Sequence, residues 1–246
     1  MIPAMTNLPE IRPSKGGGVL GLTFSLFIKN AAVLMLITAI TIVPVELIIC
    51  YGFSNLSIDN ILKDIIISQL FLTLLTPVVV YYLIERLRGG KGRVTDAYRW
   101  GLRKWLRMIM YNFLQCVIFS AGLLLFVIPG LFMYVRLLLL PAVVSIENTS
   151  VTNPLESSRN MAEGQFWRFL GLGVVINLFS FLLGLGASKL LLESGVINGI
   201  TVTLYYLFID WVSLIGVILS LVLYLKIRTE QYAAAAQAAE EAAVTA

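Results

Sequence analysis

Charged residues inside apolar runs are the side chains of this sequence with most chemical potential, because a charge surrounded by hydrocarbon is costly unless it is paired or wet. Three stand out, Glu46, Arg136 and Asp210. Counting about 1.5 Å per helical residue, Arg136 falls roughly 8 Å below the far end of its run, Asp210 roughly 15 Å below the end of its own, and Glu46 nearer the surface. The spacing predicts that Arg136 contacts Asp210 or Glu46 directly. Thr203, Tyr206, Ser213, Ser220 and Tyr224 share a helix face with Asp210 and form one polar stripe. Shorter stripes run through Gln69, Thr73 and Thr76, through Asn112, Gln115 and Cys116, and through Gly173, Asn177, Ser180 and Gly184. Such faces either pack helices together through hydroxyl and amide bonds or line a path for a solute.

The chemistry of catalysis is poorly represented. There is no histidine, which removes the commonest general base and metal ligand. No Ser/His or Cys/His pairing and no cluster of metal-ligating residues can be drawn from the sequence. Gly89-Gly90-Lys91-Gly92 lacks the full spacing of a phosphate loop. Cys50 and Cys116 sit in apolar runs and read as small hydrophobes. The expectation is a protein that is no enzyme and carries no cofactor.

The elements that hold these residues are membrane spans. Of 246 residues, 59% are hydrophobic and only 13% charged, against about a quarter charged in soluble domains. The apolar residues come in runs approaching or exceeding the roughly 20 needed to cross a bilayer as a helix. Six spans are predicted: 31–49, 61–83, 108–128, 131–146, 169–192 and 200–227, with a turn at Pro129-Gly130 joining the third and fourth. The chain divides into a tail over 1–18, a membrane domain over 19–228 and an Ala/Glu-rich tail over 229–246. The fold class is all-α and polytopic.

Between the spans lie amphipathic segments. Leu20 to Lys29 reads as a short interfacial helix. From Thr95 to Arg107, Ala97, Tyr98, Leu102 and Trp105 share one face while Arg99, Arg103 and Arg107 recur on the other, which predicts a helix lying flat on the headgroups. Asn153-Pro154-Leu155-Glu156 has the form of an N-cap, a proline at the first helical position and a capping glutamate. Each segment ends on aromatic and basic residues before a span: Phe27-Ile28-Lys29, Trp105-Leu106-Arg107, Phe166-Trp167-Arg168. Val94-Thr95 recurs as Val151-Thr152. The pattern predicts three repeats of an interfacial helix followed by a two-span hairpin. Gly195 to Gly199 has GxxxG spacing but falls in a predicted turn, and the sequons at Asn55 and Asn148 read as chance matches.

Charge sets the orientation. The stretch Arg86 to Arg107 holds eight of the eighteen basic residues, and fifteen fall on the side of the termini; the bias of Lys and Arg toward cytoplasmic loops makes that side cytoplasmic. With tryptophans interleaved, Arg99, Trp100, Arg103, Lys104, Trp105 and Arg107 read as a headgroup-binding set, and the net charge of +4 points to anionic phospholipid, not nucleic acid.

The block from Pro129 to Leu172 resembles the signature region of a bacterial family of six-helix inner-membrane proteins, most of them without an assigned activity. The features are the Pro-Gly turn, Arg136, Pro141, Glu147, and the segment from Pro154 to Arg168 ending in aromatic-basic before a glycine-containing span. A related domain is the membrane half of some glycerophosphodiester phosphodiesterases. The resemblance implies the six-span fold; the chain has no soluble phosphodiesterase domain, so that activity does not carry over. The functional expectation is a lipid-associated scaffold or accessory subunit of an inner-membrane complex. The alternative is a transporter or channel for a small or lipid-like solute using the polar interior around Arg136 and Asp210.

Overall fold

The structure is a computed structural model and describes residues 18–52, 58–147, 152–196 and 198–245. The N-terminal tail over 1–17, both sequons and Val151 of the repeated dipeptide lie outside the described residues. Within them the chain is helical, without strands: α1 (Val19–Lys29), α2 (Ala31–Gly52), α3 (Ile58–Leu87), α4 (Val94–Leu125), α5 (Val127–Leu137), α6 (Leu140–Ile146), α7 (Pro154–Ala162), α8 (Phe166–Glu193) and α9 (Gly199–Thr245). Six stretches are long and apolar enough to cross a membrane, α5 and α6 together forming the fourth. A bilayer leaves no water for an open backbone, so a chain of this composition must close its hydrogen bonds within helices. The protein is a multi-pass helical membrane protein.

The core is built from α2, α3, α6 and α9, with α1 against them. Leu34, Ile37, Val78, Leu83, Val143 and Ile218 are fully buried there. The outward faces of α4 and α8 expose Leu106, Phe113, Phe181 and Leu182, as suits helices facing lipid.

Each interruption has a local cause. Asn30 ends α1, its side-chain amide donating to the Leu26 carbonyl at 2.8 Å, and α2 starts at once. Between α5 and α6, Pro141 has no N–H to offer the Leu137 carbonyl, and the helix breaks at Leu138-Leu139. The carbonyls left over find side chains: Ser158 Oγ donates to Arg136 O at 2.8 Å, and Gln115 Nε2 approaches Leu137 O at 3.5 Å. At the start of α7, Asn153 accepts from the Leu155 N–H at 3.2 Å with Pro154 following, the N-cap and proline that the sequence predicts. Among the described residues Glu156 makes no capping bond back to Asn153 and instead lines a cleft facing α5.

Three boundaries differ from expectation. The turn falls at Phe126, in extended backbone, because Pro129 suits the first turn of a helix, where its missing N–H costs nothing. Gly122 and Gly130 then meet so closely that a Cβ on Gly122 would lie 2.9 Å from the Gly130 Cα. The flat helix over 95–107 is not a separate element: α4 runs unbroken for 32 residues, since Leu106, Arg107 and Met108 are good helix formers with no cap or proline between them. The C-terminal tail continues α9, whose residues from Glu230 to Ala243 are exposed; alanine runs give no reason to stop.

Candidate functional site

Two polar clusters gather where α4, α5, α6, α7 and α9 meet. The first centres on Glu147, one residue past the end of α6. Its carboxylate pairs with Arg228 Nη2 of α9. It also accepts from Tyr224 OH at 3.1 Å, from Ser157 Oγ of α7 at 3.2 Å and from Thr152 Oγ1 at 3.2 Å. A buried carboxylate is tolerated only when its lone pairs are used in this way. The backbone at the same point is held by α4: Lys104 Nζ donates to Glu147 O at 2.6 Å and Trp100 Nε1 to Ser145 O at 3.0 Å. Helix C-termini carry orphan carbonyls and a negative dipole end, so a lysine and an indole N–H are apt partners.

The second cluster is a cleft of about 680 Å³ between α4, α5 and α7, where Ile118, Met133, Arg136 and Leu137 face Asn153, Leu155, Glu156, Arg159, Asn160 and Glu163. Arg136 stands over the ring of Phe132, its guanidinium carbon 4.1 Å from the centroid, a favourable cation–π position.

The expected ion pair is therefore corrected. Arg136 pairs with neither Asp210 nor Glu46 among the described residues; it faces α7. Counting depth along an uninterrupted span could not register the break at Leu138-Leu139, nor that α7 folds back against α5. Glu46 is buried on α2. The stripe on α9 divides: Thr203 Oγ1 donates to Gly199 O at 2.7 Å and Ser213 Oγ to Asp210 O at 2.7 Å, Tyr224 OH reaches across to Glu147, and the buried Ser220 Oγ has no hydrogen-bond partner among the described residues. Tyr206 sits edge-on to Tyr205 with ring centroids 5.4 Å apart. Asn177 similarly donates to Gly173 O at 2.8 Å and to Tyr134 OH at 2.7 Å.

The headgroup set divides. Arg99, Arg103 and Arg107 are exposed. Lys104 is buried, and Trp100 and Trp105 are half-buried, with Trp105 Nε1 donating to Leu70 O of α3 at 2.8 Å. Tyr98 also turns inward, its hydroxyl on Ile37 O at 2.8 Å and within 2.7 Å of Thr41 Oγ1. Ala97, Gly101, Lys104 and Met108 form the buried face of α4, one helical stripe.

Glu147, Tyr224 and Arg228 form a site that the sequence reading did not assemble. The signal was present in part: Tyr224 and Arg228 lie four apart, on one face, and Glu147 is the acid that closes span 4. Nothing local says that the two meet across 81 positions. Among the described residues no group of Cys, Asp and Glu is placed to hold a metal ion.

No family model, no curated protein and no solved structure matches the chain. The class that fold and composition define is that of a six-span helical membrane protein.

Proposed function

We propose that the chain is an inner-membrane protein with both termini cytoplasmic, acting without catalysis as a lipid-associated scaffold or accessory subunit. The observation that carries the reading is the division of α4. One face locks into the bundle through Gly101, Lys104 and Trp105, while Arg99, Arg103 and Arg107 stay exposed beside Leu102 and Leu106, which are themselves exposed. Exposed cations next to exposed apolar side chains suit the boundary between anionic headgroups and hydrocarbon, where each contributes about 1 kcal/mol. Rigid attachment to the core makes that surface a fixed platform.

A transporter or channel would need a continuous polar path. Thr203 and Ser213 of the α9 stripe bond instead to carbonyls of their own helix and Tyr224 is engaged by Glu147, which supports packing as their role.

Reconstitution into vesicles of mixed phosphatidylcholine and phosphatidylglycerol, followed by quantification of the lipid retained on the purified chain, tests the proposal. The wild type should enrich phosphatidylglycerol, and R99Q/R103Q/R107Q should lose most of that enrichment. Equal enrichment by both chains would overturn the reading.

A further inference from the structure

We infer that the cleft between α4, α5 and α7 binds a zwitterionic phospholipid whose headgroup carries a phosphodiester and a primary ammonium, the phosphatidylethanolamine class. The inference deepens the lipid-associated reading and rests on it, but uses different residues. Along α7 and the residue after it, Glu156, Arg159, Asn160 and Glu163 recur at spacings of three and four, so they form one stripe, and that stripe lines the cleft. The opposite wall is α5, with Arg136 set among Met133 and Leu137. Two arginines and two glutamates thus face the same space, and their charges sum to zero.

Among the described residues, none of these four side chains forms an ion pair with another residue. Arg136 is held over Phe132, which fixes the plane of its guanidinium while leaving its N–H fork for a ligand. That fork matches a phosphodiester, two parallel bonds to two oxygens. Glu156 and Glu163 supply acceptors for an ammonium, which has three N–H donors to give. An anionic lipid without an amine would satisfy the arginines and set its charge against two carboxylates. A quaternary ammonium has no N–H to donate.

Apart from Asn153 and Asn160, the rest of the cleft is apolar. Ile118 and Met133 belong to membrane-spanning helices, and Leu155 closes the space from α7, so glycerol and acyl carbons meet side chains of their own kind. The volume, about 680 Å³, lies in the range of roughly 300–1,000 Å³ common to sites for small ligands.

The test uses the whole chain in nanodiscs of equal dioleoyl-phosphatidylethanolamine, -phosphatidylglycerol and -phosphatidylcholine, with retained lipid measured by mass spectrometry after a detergent wash. The wild type should retain phosphatidylethanolamine over phosphatidylcholine by roughly tenfold, the worth of one well-made charged hydrogen bond, while phosphatidylglycerol is held separately on the α4 platform. R136Q/R159Q should remove the preference. E156Q/E163Q, two exposed side chains whose change leaves the packing of α7 intact, should redirect retention to phosphatidylglycerol, so the inference stays testable if loss of Arg136 disturbs folding. R99Q/R103Q/R107Q should leave the retained phosphatidylethanolamine unchanged, which separates failure of the cleft from failure of the α4 platform. Equal retention of phosphatidylethanolamine and phosphatidylcholine by the wild type, or an unaltered preference in E156Q/E163Q, would overturn the inference. Displacement of the lipid by soluble phosphoethanolamine at comparable concentration would overturn it too, in favour of a water-soluble ligand.

Discussion

Replacing Arg228 with methionine is expected to lower the stability of the purified chain by about 3–5 kcal/mol, the cost of leaving one partner of a buried pair behind. The Glu147 side chain is only 8% exposed, against 29% for that of Arg228. Losing the arginine therefore strands the less accessible charge. Glu147→Gln should cost less, about 1–3 kcal/mol: the amide still accepts from Tyr224 and Ser157, and Arg228 keeps some access to water. The double variant should cost less than the sum of the two, with a coupling in the range of 0.5–3 kcal/mol found for groups in one network. Unfolding measured in mild detergent gives all three values. Glu147→Gln costing as much as Arg228→Met, or strict additivity, would mean that the pair does not join α6 to α9.

How much of this was legible in the sequence depends on the range of the interaction. The spans could be read because an apolar run of sufficient length has one stable outcome in a membrane, whatever its neighbours do. The cap at Asn153-Pro154 could be read because its bonds close within two residues. Trp100 and Trp105 were harder. An indole beside arginines suits a membrane interface, but it suits a helix contact equally well, and only the arrival of the Ser145 and Leu70 carbonyls decides. Arg136 failed for a related reason. A count of residues gives depth along a straight helix; Pro141 breaks that helix, and the side chain faces α7. A proline inside a span can break it, but the span over 131–146 reads as continuous, and the direction of the chain beyond a break is set by tertiary packing. Glu147 with Arg228 is the extreme case, since no local pattern specifies a partner so far along the chain.

The second large effect is expected at the contact of α3 with α4. Gly101→Ala should destabilise the chain by about 1–3 kcal/mol, as overpacking does, although alanine favours a helix interior by about 1 kcal/mol over glycine. A Cβ at Gly101 would lie 2.3 Å from Val78 Cγ2 and 3.4 Å from Leu74 Cδ1. Val78 is fully buried, and a β-branched side chain has few rotamers with which to retreat, so the two helices must part. Parting them would also pull Trp105 from Leu70 O and Lys104 from Glu147 O, both on the same inward side of α4. Gly171→Ala supplies the contrast: on α8 nothing lies within 4 Å of the added atom, and only the gain in helix propensity should appear. Val78→Ala placed in the Gly101→Ala background should recover stability, whereas alone it should cost about 1 kcal/mol or more as a core truncation. If Gly101→Ala proved as harmless as Gly171→Ala in thermal unfolding, α3 and α4 would not be in contact at that point, and the division of α4 into a buried face and an arginine face would lose its physical basis.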